Sequence, residues 1–343
     1  MKKIRIIILY TLLFCTGVFL CLIFIPRTYD VPKANTNKNV SFWQMHSGSA
    51  IAYTKLNAKG TQKPYPVIYL HGGPGGHYSN DNIATLQVLA DSGYTVYLYD
   101  QVGGGNSSRL EHIRDYTVQR HIAELEEVIE KTGAEKVILI GQSWGAILGT
   151  LYLVDHSDKV DKIILTCPGP IYPYNDRAVK EKIPDSLHFK TPHYSNKDGN
   201  ILAANLRTDA MAFMATNFGK KLAGDAEADA FAAYSNALVN RSCVCDTANI
   251  SKLNREAGNG YYAQLMTYLN LTKITDKRNI FRNTGTKMLV MKGACDNQPW
   301  DATNEYLALF KNSRLMFIPG AGHFIFIEQP QLYTSYILGF LNE

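Results

Sequence analysis

The chain has 343 residues, of which 46% are hydrophobic and only 19% charged, against a usual ~25% charged; this excludes a disordered or low-complexity protein. Its 35 basic and 30 acidic residues leave a net charge of +5, too small an excess over such a length to indicate nucleic-acid binding. At about 150 residues per domain, the length suits two domains or one large catalytic domain carrying an insertion.

The N-terminus comes first. Lys2, Lys3 and Arg5 precede Ile6–Ile25, a stretch without one charged side chain. Twenty helical residues at ~1.5 Å each reach about 30 Å, the thickness of a bilayer's hydrocarbon core. The run ends at Pro26-Arg27 with no small-x-small cleavage site, so residues 1–26 are expected to be an uncleaved anchor. A cleaved signal, leaving a secreted protein, and a buried helix of a soluble protein are the alternatives. Basic residues ahead of the span favour a cytoplasmic N-terminus and place the rest outside, in periplasm or medium. Residues 27–40 are polar and aperiodic and read as a tether.

Ser41–His46 and Ala50–Leu56 have the alternation of an antiparallel hairpin. Short apolar runs follow at Pro66–Leu70, Thr95–Tyr99, Lys136–Ile140, Lys162–Thr166, Lys287–Met291 and Arg314–Ile318. Unbroken apolar runs suit strands buried on both faces of a parallel sheet. Val118–Lys131 carries Ile122, Leu125, Val128 and Ile129 on one helical stripe. Strands alternating with helices predict an α/β architecture, a mostly parallel sheet flanked by helices, formed by 41–168 and 287–343. The alternation stops over 169–286, where Leu202–Phe218 and Asp225–Val239 are compatible with helix; this stretch is expected to be an inserted helical cap.

Chemistry gathers where the strands end. Gly141-Gln142-Ser143-Trp144-Gly145 joins a strand to the helix-compatible Ala146–Asp155. This is G-x-S-x-G in strand–turn–helix context, which makes Ser143 the candidate nucleophile. His71-Gly72-Gly73-Pro74-Gly75-Gly76 ends the Pro66–Leu70 strand. It supplies bare backbone N–H groups that, with the Trp144 N–H, suit an oxyanion hole; the competing readings are a simple turn and a phosphate loop, which lacks the G-x-x-x-x-G-K-[ST] pattern. Asp296 and His323 each follow a late strand, giving the order Ser…Asp…His. The imidazole would take the serine's proton, and the carboxylate would hold the imidazole's tautomer. Asp100 is a competing acid, but its early position breaks that order.

With these residues in place, the chain resembles the α/β-hydrolases of the proline iminopeptidase-like group of serine peptidases. The resemblance rests on His71–Gly75, on Asp100-Gln101-Val102-Gly103-Gly104-Gly105-Asn106-Ser107, on Gly141–Gly145, and on the settings of Asp296 and His323. It implies Ser143 as nucleophile, the N–H groups of Gly73 (or neighbouring Gly72) and Trp144 as oxyanion donors, no metal or cofactor, and release of an N-terminal residue, often proline, from short peptides. Val102 stands where the group usually has Arg, and Gln142 where it often has Gly. The group grips a substrate's free amine with acids of the cap; Asp209, Asp225, Glu227, Asp229 and Glu256 are candidates that no motif distinguishes. An esterase, lactonase or amidase with the same triad, and a non-catalytic binding scaffold, are the competing readings.

Cys15 and Cys21 lie in the apolar span. Cys243 and Cys245 are too few to form a zinc site alone. Cys167 and Cys295 follow strands expected to be neighbours, so a bond between them is conceivable, with two buried thiols the default. Five N-x-[ST] sequons, starting at Asn39, Asn106, Asn240, Asn249 and Asn270, are read as incidental.

Overall fold

The computed structural model describes residues 2–32, 40–174, 183–253 and 256–343. The elements run α1 (Lys2–Phe24), β1 (Ser41–Gln44), β2 (Ala50–Leu56), β3 (Val67–Leu70), α2 (Asn80–Asp91), β4 (Val96–Tyr99), α3 (Val118–Thr132), β5 (Val137–Gln142), α4 (Trp144–His156) and β6 (Val160–Thr166). Next come α5 (Asn196–Ala203), α6 (Leu206–Phe218), α7 (Asp225–Val239), α8 (Tyr261–Leu271) and α9 (Arg278–Phe281). The chain closes with β7 (Lys287–Gly293), α10 (Trp300–Leu309), β8 (Ser313–Ile318), α11 (Ile325–Glu328) and α12 (Pro330–Leu341).

The eight strands form one sheet in the order β1-β2-β4-β3-β5-β6-β7-β8. β1 and β2 make the expected antiparallel hairpin, β2 pairs antiparallel with β4, and every other pairing is parallel. Because side chains alternate across a strand, one apolar run feeds two cores. Ile68, Leu70, Leu139, Ile163 and Leu165 face a layer built from α3, α4 and α10. Val67, Tyr69, Ile138, Ile140 and Ile164 face the other, built from α2 and α12. Each fully buried aliphatic side chain contributes about 1.5–3 kcal/mol.

Helix α3 shows how local sequence sets an element's limits. The Thr117 hydroxyl accepts from the Arg120 N–H at the start, and Gly133 stops the helix in the left-handed conformation, φ 70°. Helix α2 was not legible from periodicity. It begins with a capping box in which Ser79 and Asn82 satisfy each other's backbone N–H.

α1 is long and apolar enough to cross a membrane by length and composition, and none of its apolar span is buried against the protein. Of the stretch expected as a tether, residues 27–32 lie in contact with the segment that joins β6 to β7, while 33–39, with the Asn39 sequon, fall outside the described residues. The stretch expected as a cap, 169–286, contains α5–α9; 175–182 and 254–255 of it are also outside.

Candidate active site

Ser143 is the single residue between β5 and α4, with φ 56° and ψ −113°. A non-glycine residue in that region costs on the order of 1–3 kcal/mol, so its surroundings must hold it there. They do so through the Ser143 N–H, which donates to the Thr166 carbonyl at 3.0 Å, and the Ser143 carbonyl, which accepts from Ala146 at 3.1 Å. The flanking glycines are required by close approach. A Cβ at Gly145 would collide with the carbonyl of Leu70, and one at Gly141 with the carbonyl of Gly145.

The glycine-rich turn after β3 is fixed by His71 and Gln101. The Gln101 N–H donates to His71 Nε2 at 3.0 Å, so Nδ1 carries the proton and donates to the Gly72 carbonyl at 2.7 Å. With the Gly72 carbonyl turned to His71, the N–H of Gly73 points to the opposite side of that trans peptide. Gln101 Nε2 also donates to the His71 carbonyl at 3.1 Å, while Gln101 Oε1 accepts from Trp144 Nε1 at 2.7 Å. One glutamine thus locks together the turn and the residue following Ser143. A Cβ on Gly72 would lie 3.3 Å from Ser143 Cβ, so the turn lies directly against the serine. Trp144 is the first residue of α4, where no N–H has an intrahelical acceptor.

Asp296 and His323 are brought together by the turns after β7 and β8. His323 Nδ1 donates to Asp296 Oδ1 at 2.7 Å, which leaves Nε2 as the basic nitrogen. The second carboxylate oxygen accepts from Lys292 Nζ at 2.7 Å, and that ammonium also donates to the Gln298 carbonyl at 2.6 Å. Neither side chain of the Lys292–Asp296 pair is exposed. Burial alone would raise the Asp296 carboxyl, but His323 and Lys292 together hold it well below the usual carboxylate range. Glu328 braces the same region, accepting from the N–H groups of Gly322 at 2.6 Å and Cys245 at 2.9 Å.

Ser143 and His323 line one cavity of about 550 Å³, along with Gly72 and Gly73. No described residue hydrogen-bonds to the Ser143 hydroxyl. In substrate-free enzymes such bonds are often long and tighten only in the complex. Asp100 does not compete for His323, because its oxygens accept from the N–H groups of Asn106 and Tyr78. Of the acids considered for gripping an amine, Asp225 pairs with Lys221, Glu227 with Arg207 and Asp229 with Arg109. None of these, nor Asp209 or Glu256, lines the cavity. Its polar lining is neutral amide instead, including Asn82, Asn196, Asn200, Asn236, Gln264 and Asn297. Asp81, exposed at the start of α2, is the one carboxylate among the described lining residues.

The conceivable Cys167–Cys295 bond is not made, and Cys295 is not the free thiol of the default reading. Cys295 is joined to Cys245, with Cα atoms 5.1 Å apart. Cys167 and Cys243 are buried thiols. The loop after α7 crosses the end of β7, a long-range placement that spacing along the chain does not reveal. Cys167, Asp296 and His323 each offer a ligand atom within 4.8 Å of the others. Asp296 already has both oxygens engaged, one by a buried ammonium, which disfavours a cation at that point.

The buried histidines give the site an acid limit. Burial pushes His71 and His77 down to about 4 and His121 to about 3. Depressed histidines contribute stability that is complete above their unfolded value of ~6.5 and is lost as pH falls from there. Asp100, raised by burial to about 7, acts with the opposite sign. Near pH 5 these four groups alone, three histidines against one aspartate, would lower stability by roughly 2–3 kcal/mol per pH unit as pH falls. Glu124 and Asp229, also raised by burial, offset part of that, so the net fall should be smaller. Urea midpoints measured from pH 7.5 to 5 check this, and a flat series would contradict it.

A family model described as the alpha/beta hydrolase fold matches residues 65–330. The proline iminopeptidase of Lactobacillus delbrueckii subsp. lactis is 38% identical over 122 residues, 35% of this chain and 41% of that protein. That stretch spans about two fifths of the relative's length. The proline iminopeptidase of Heyndrickxia coagulans is 25% identical over 302 residues, 86% of this chain and 96% of that protein. Among solved structures, an esterase from Thermogutta terrifontis is similar at TM-score 0.62 and 17% identity, covering 88% of this chain and 98% of that one. Proline iminopeptidase from Mycobacterium smegmatis is similar at TM-score 0.58 and 21% identity, covering 88% and 97%. These structural likenesses concern the fold.

Proposed function

We propose, from the premise that the chain belongs to the α/β-hydrolase fold family, that it is a serine hydrolase working through an acyl-enzyme on Ser143. The observation that carries this reading is the Lys292–Asp296–His323 chain of hydrogen bonds opening onto the cavity that Ser143 lines. His323 Nε2 takes the hydroxyl proton as Ser143 Oγ attacks the substrate carbonyl. The charge gathering on the carbonyl oxygen is met by the N–H groups of Gly73 and Trp144, one such donor being worth about 3 kcal/mol. The imidazolium gives its proton to the leaving group, and water, activated by the same nitrogen, releases the acid and restores the serine. No metal or cofactor is needed for these steps.

For the substrate, the relatives support an aminopeptidase that releases an N-terminal, proline-type residue from short peptides. The amide-lined cavity favours a second reading, an esterase, lactonase or amidase acting on an uncharged acyl group. In the first case Asp81 is the residue placed to meet the amine. Proline and alanine arylamides with free and blocked amines, compared with aryl esters, separate the two. The aminopeptidase reading predicts that Asp81→Asn raises KM about tenfold for free-amine substrates alone, with kcat little changed. Turnover of blocked but not free-amine substrates would rule that reading out. The apolar α1 supports a membrane anchor or a signal sequence, and for an anchor Lys2, Lys3 and Arg5 ahead of it support an extracytoplasmic catalytic part.

A further inference from the structure

Residues 23–32, the last turn of the apolar α1 and the stretch that follows it, contact the helices between β6 and β7. Arg207 Nη1 donates to the carbonyl of Ile23 at 2.6 Å, and the Arg27 N–H donates to Glu227 at 2.8 Å, itself ion-paired with Arg207. The Tyr29 ring packs at a tilt against Phe231 with centroids 5.4 Å apart, and its hydroxyl accepts from Asn205. The Ala257 N–H donates to the carbonyl of Pro32 at 2.9 Å. The base of α1 is therefore fixed at the corner between α5 and α6, rather than hanging from a free linker.

That same corner is apolar and open. Ile201 and Leu202 are 63% and 62% exposed at the end of α5, beside Asn205 and Arg207, which hold the base of α1. Leu206 and Phe213 on α6 are also exposed; seven residues apart, they share one stripe. Asp209 is the only other charged residue of α6 besides the paired Arg207. Single exposed apolar side chains need no explanation, but Ile201, Leu202 and Leu206, within six residues of chain beside the base of an apolar helix long enough to span a membrane, do.

We propose that this face of α5 and α6 sits in the interfacial region of the same lipid bilayer that α1 enters. The proposal rests on reading α1 as a membrane span. An apolar helical face continuous with a spanning helix buries its side chains at the headgroup boundary, where lipid replaces water. α5 also carries Asn196 and Asn200 on the wall of the Ser143 cavity. With a helix about 10 Å across, one wall of that cavity then stands a single helix away from the lipid surface. The hydrolase is thereby held against the bilayer, suited to substrates that arrive at the water–lipid boundary.

The test uses the full chain in vesicles of phosphatidylcholine, with and without bromine on the acyl chains. Three variants each carry one added tryptophan: Phe213→Trp on the proposed face, Val88→Trp at an exposed position of α2, and Tyr10→Trp within α1. Labelling of Ser143 by a fluorophosphonate confirms that each is folded. Brominated lipid is expected to quench the added emission at 213 by a third or more, to quench that at 10 more strongly, and to leave that at 88 unchanged. Quenching at 10 but not at 213 would overturn the proposal while leaving the anchor intact. No quenching at either position would overturn both. A residue 213 shielded from brominated lipid and from aqueous acrylamide alike would assign the face to a second copy of the chain, which also overturns it.

Discussion

Ser143→Ala is expected to lower kcat by roughly 10⁴–10⁶-fold on whichever ester or arylamide the wild type hydrolyses, with KM changed by less than about threefold. The size reflects the steps that would be lost. Without the hydroxyl there is no acyl-enzyme, and His323 has no proton to accept; the oxyanion donors and the cavity would still bind substrate and retain a small residual rate. Because alanine keeps a Cβ at φ 56°, it relieves none of the backbone strain, and the melting temperature should stay within a few degrees of wild type. A variant that kept a tenth of the activity would show that another group attacks the substrate. Equal loss of activity and of folding would show that the strained turn is structural.

The second large effect is expected at Lys292→Met. Methionine fills much of the lysine's volume but leaves Asp296 as a buried carboxylate with only His323 to balance it. Breaking a buried pair by removing one partner costs about 3–5 kcal/mol. Asp296 contributes stability that is present above the ordinary carboxylate range and is lost as pH falls through its depressed folded value. With Lys292 gone that folded value rises, so acid unfolding should begin at a higher pH than in the wild type. Activity should change with the same sign: a carboxyl that holds its proton no longer fixes the His323 tautomer, and kcat should fall roughly 10²–10⁴-fold at neutral pH with KM nearly unchanged. A partial return of kcat as pH is raised would distinguish this from misfolding. A variant with wild-type kcat and a wild-type acid limb would show that Lys292 is only a space-filling residue.

The sheet was legible in the sequence because strands buried on two faces need unbroken apolar runs, and β3, β4, β5, β6 and β7 fall on such runs and are buried; β8 also falls on one, but as the edge strand it is only half-buried. The placing of Ser143, Asp296 and His323 at strand ends was legible for the same reason: parallel strands carry their C-terminal turns to one shared edge of the sheet. Lys292 was not legible. A lysine after Lys287–Met291 reads as the polar end of a strand, whereas β7 continues to Gly293 and turns that side chain inward. Gln101 and Glu328 were missed because their role is to join turns far apart in the chain. The partners of Glu227 and Asp229, which take them out of consideration for a substrate amine, are set by helix packing that has no local signature.

The most direct measurement is the second-order rate of fluorophosphonate modification for the wild type and for His323→Ala, with the modified peptide identified by mass. Attack by a serine whose proton is taken by His323 predicts a single adduct on Ser143 and a rate at least about a thousandfold lower in the variant. An adduct on another residue, or equal rates in the two proteins, would contradict it.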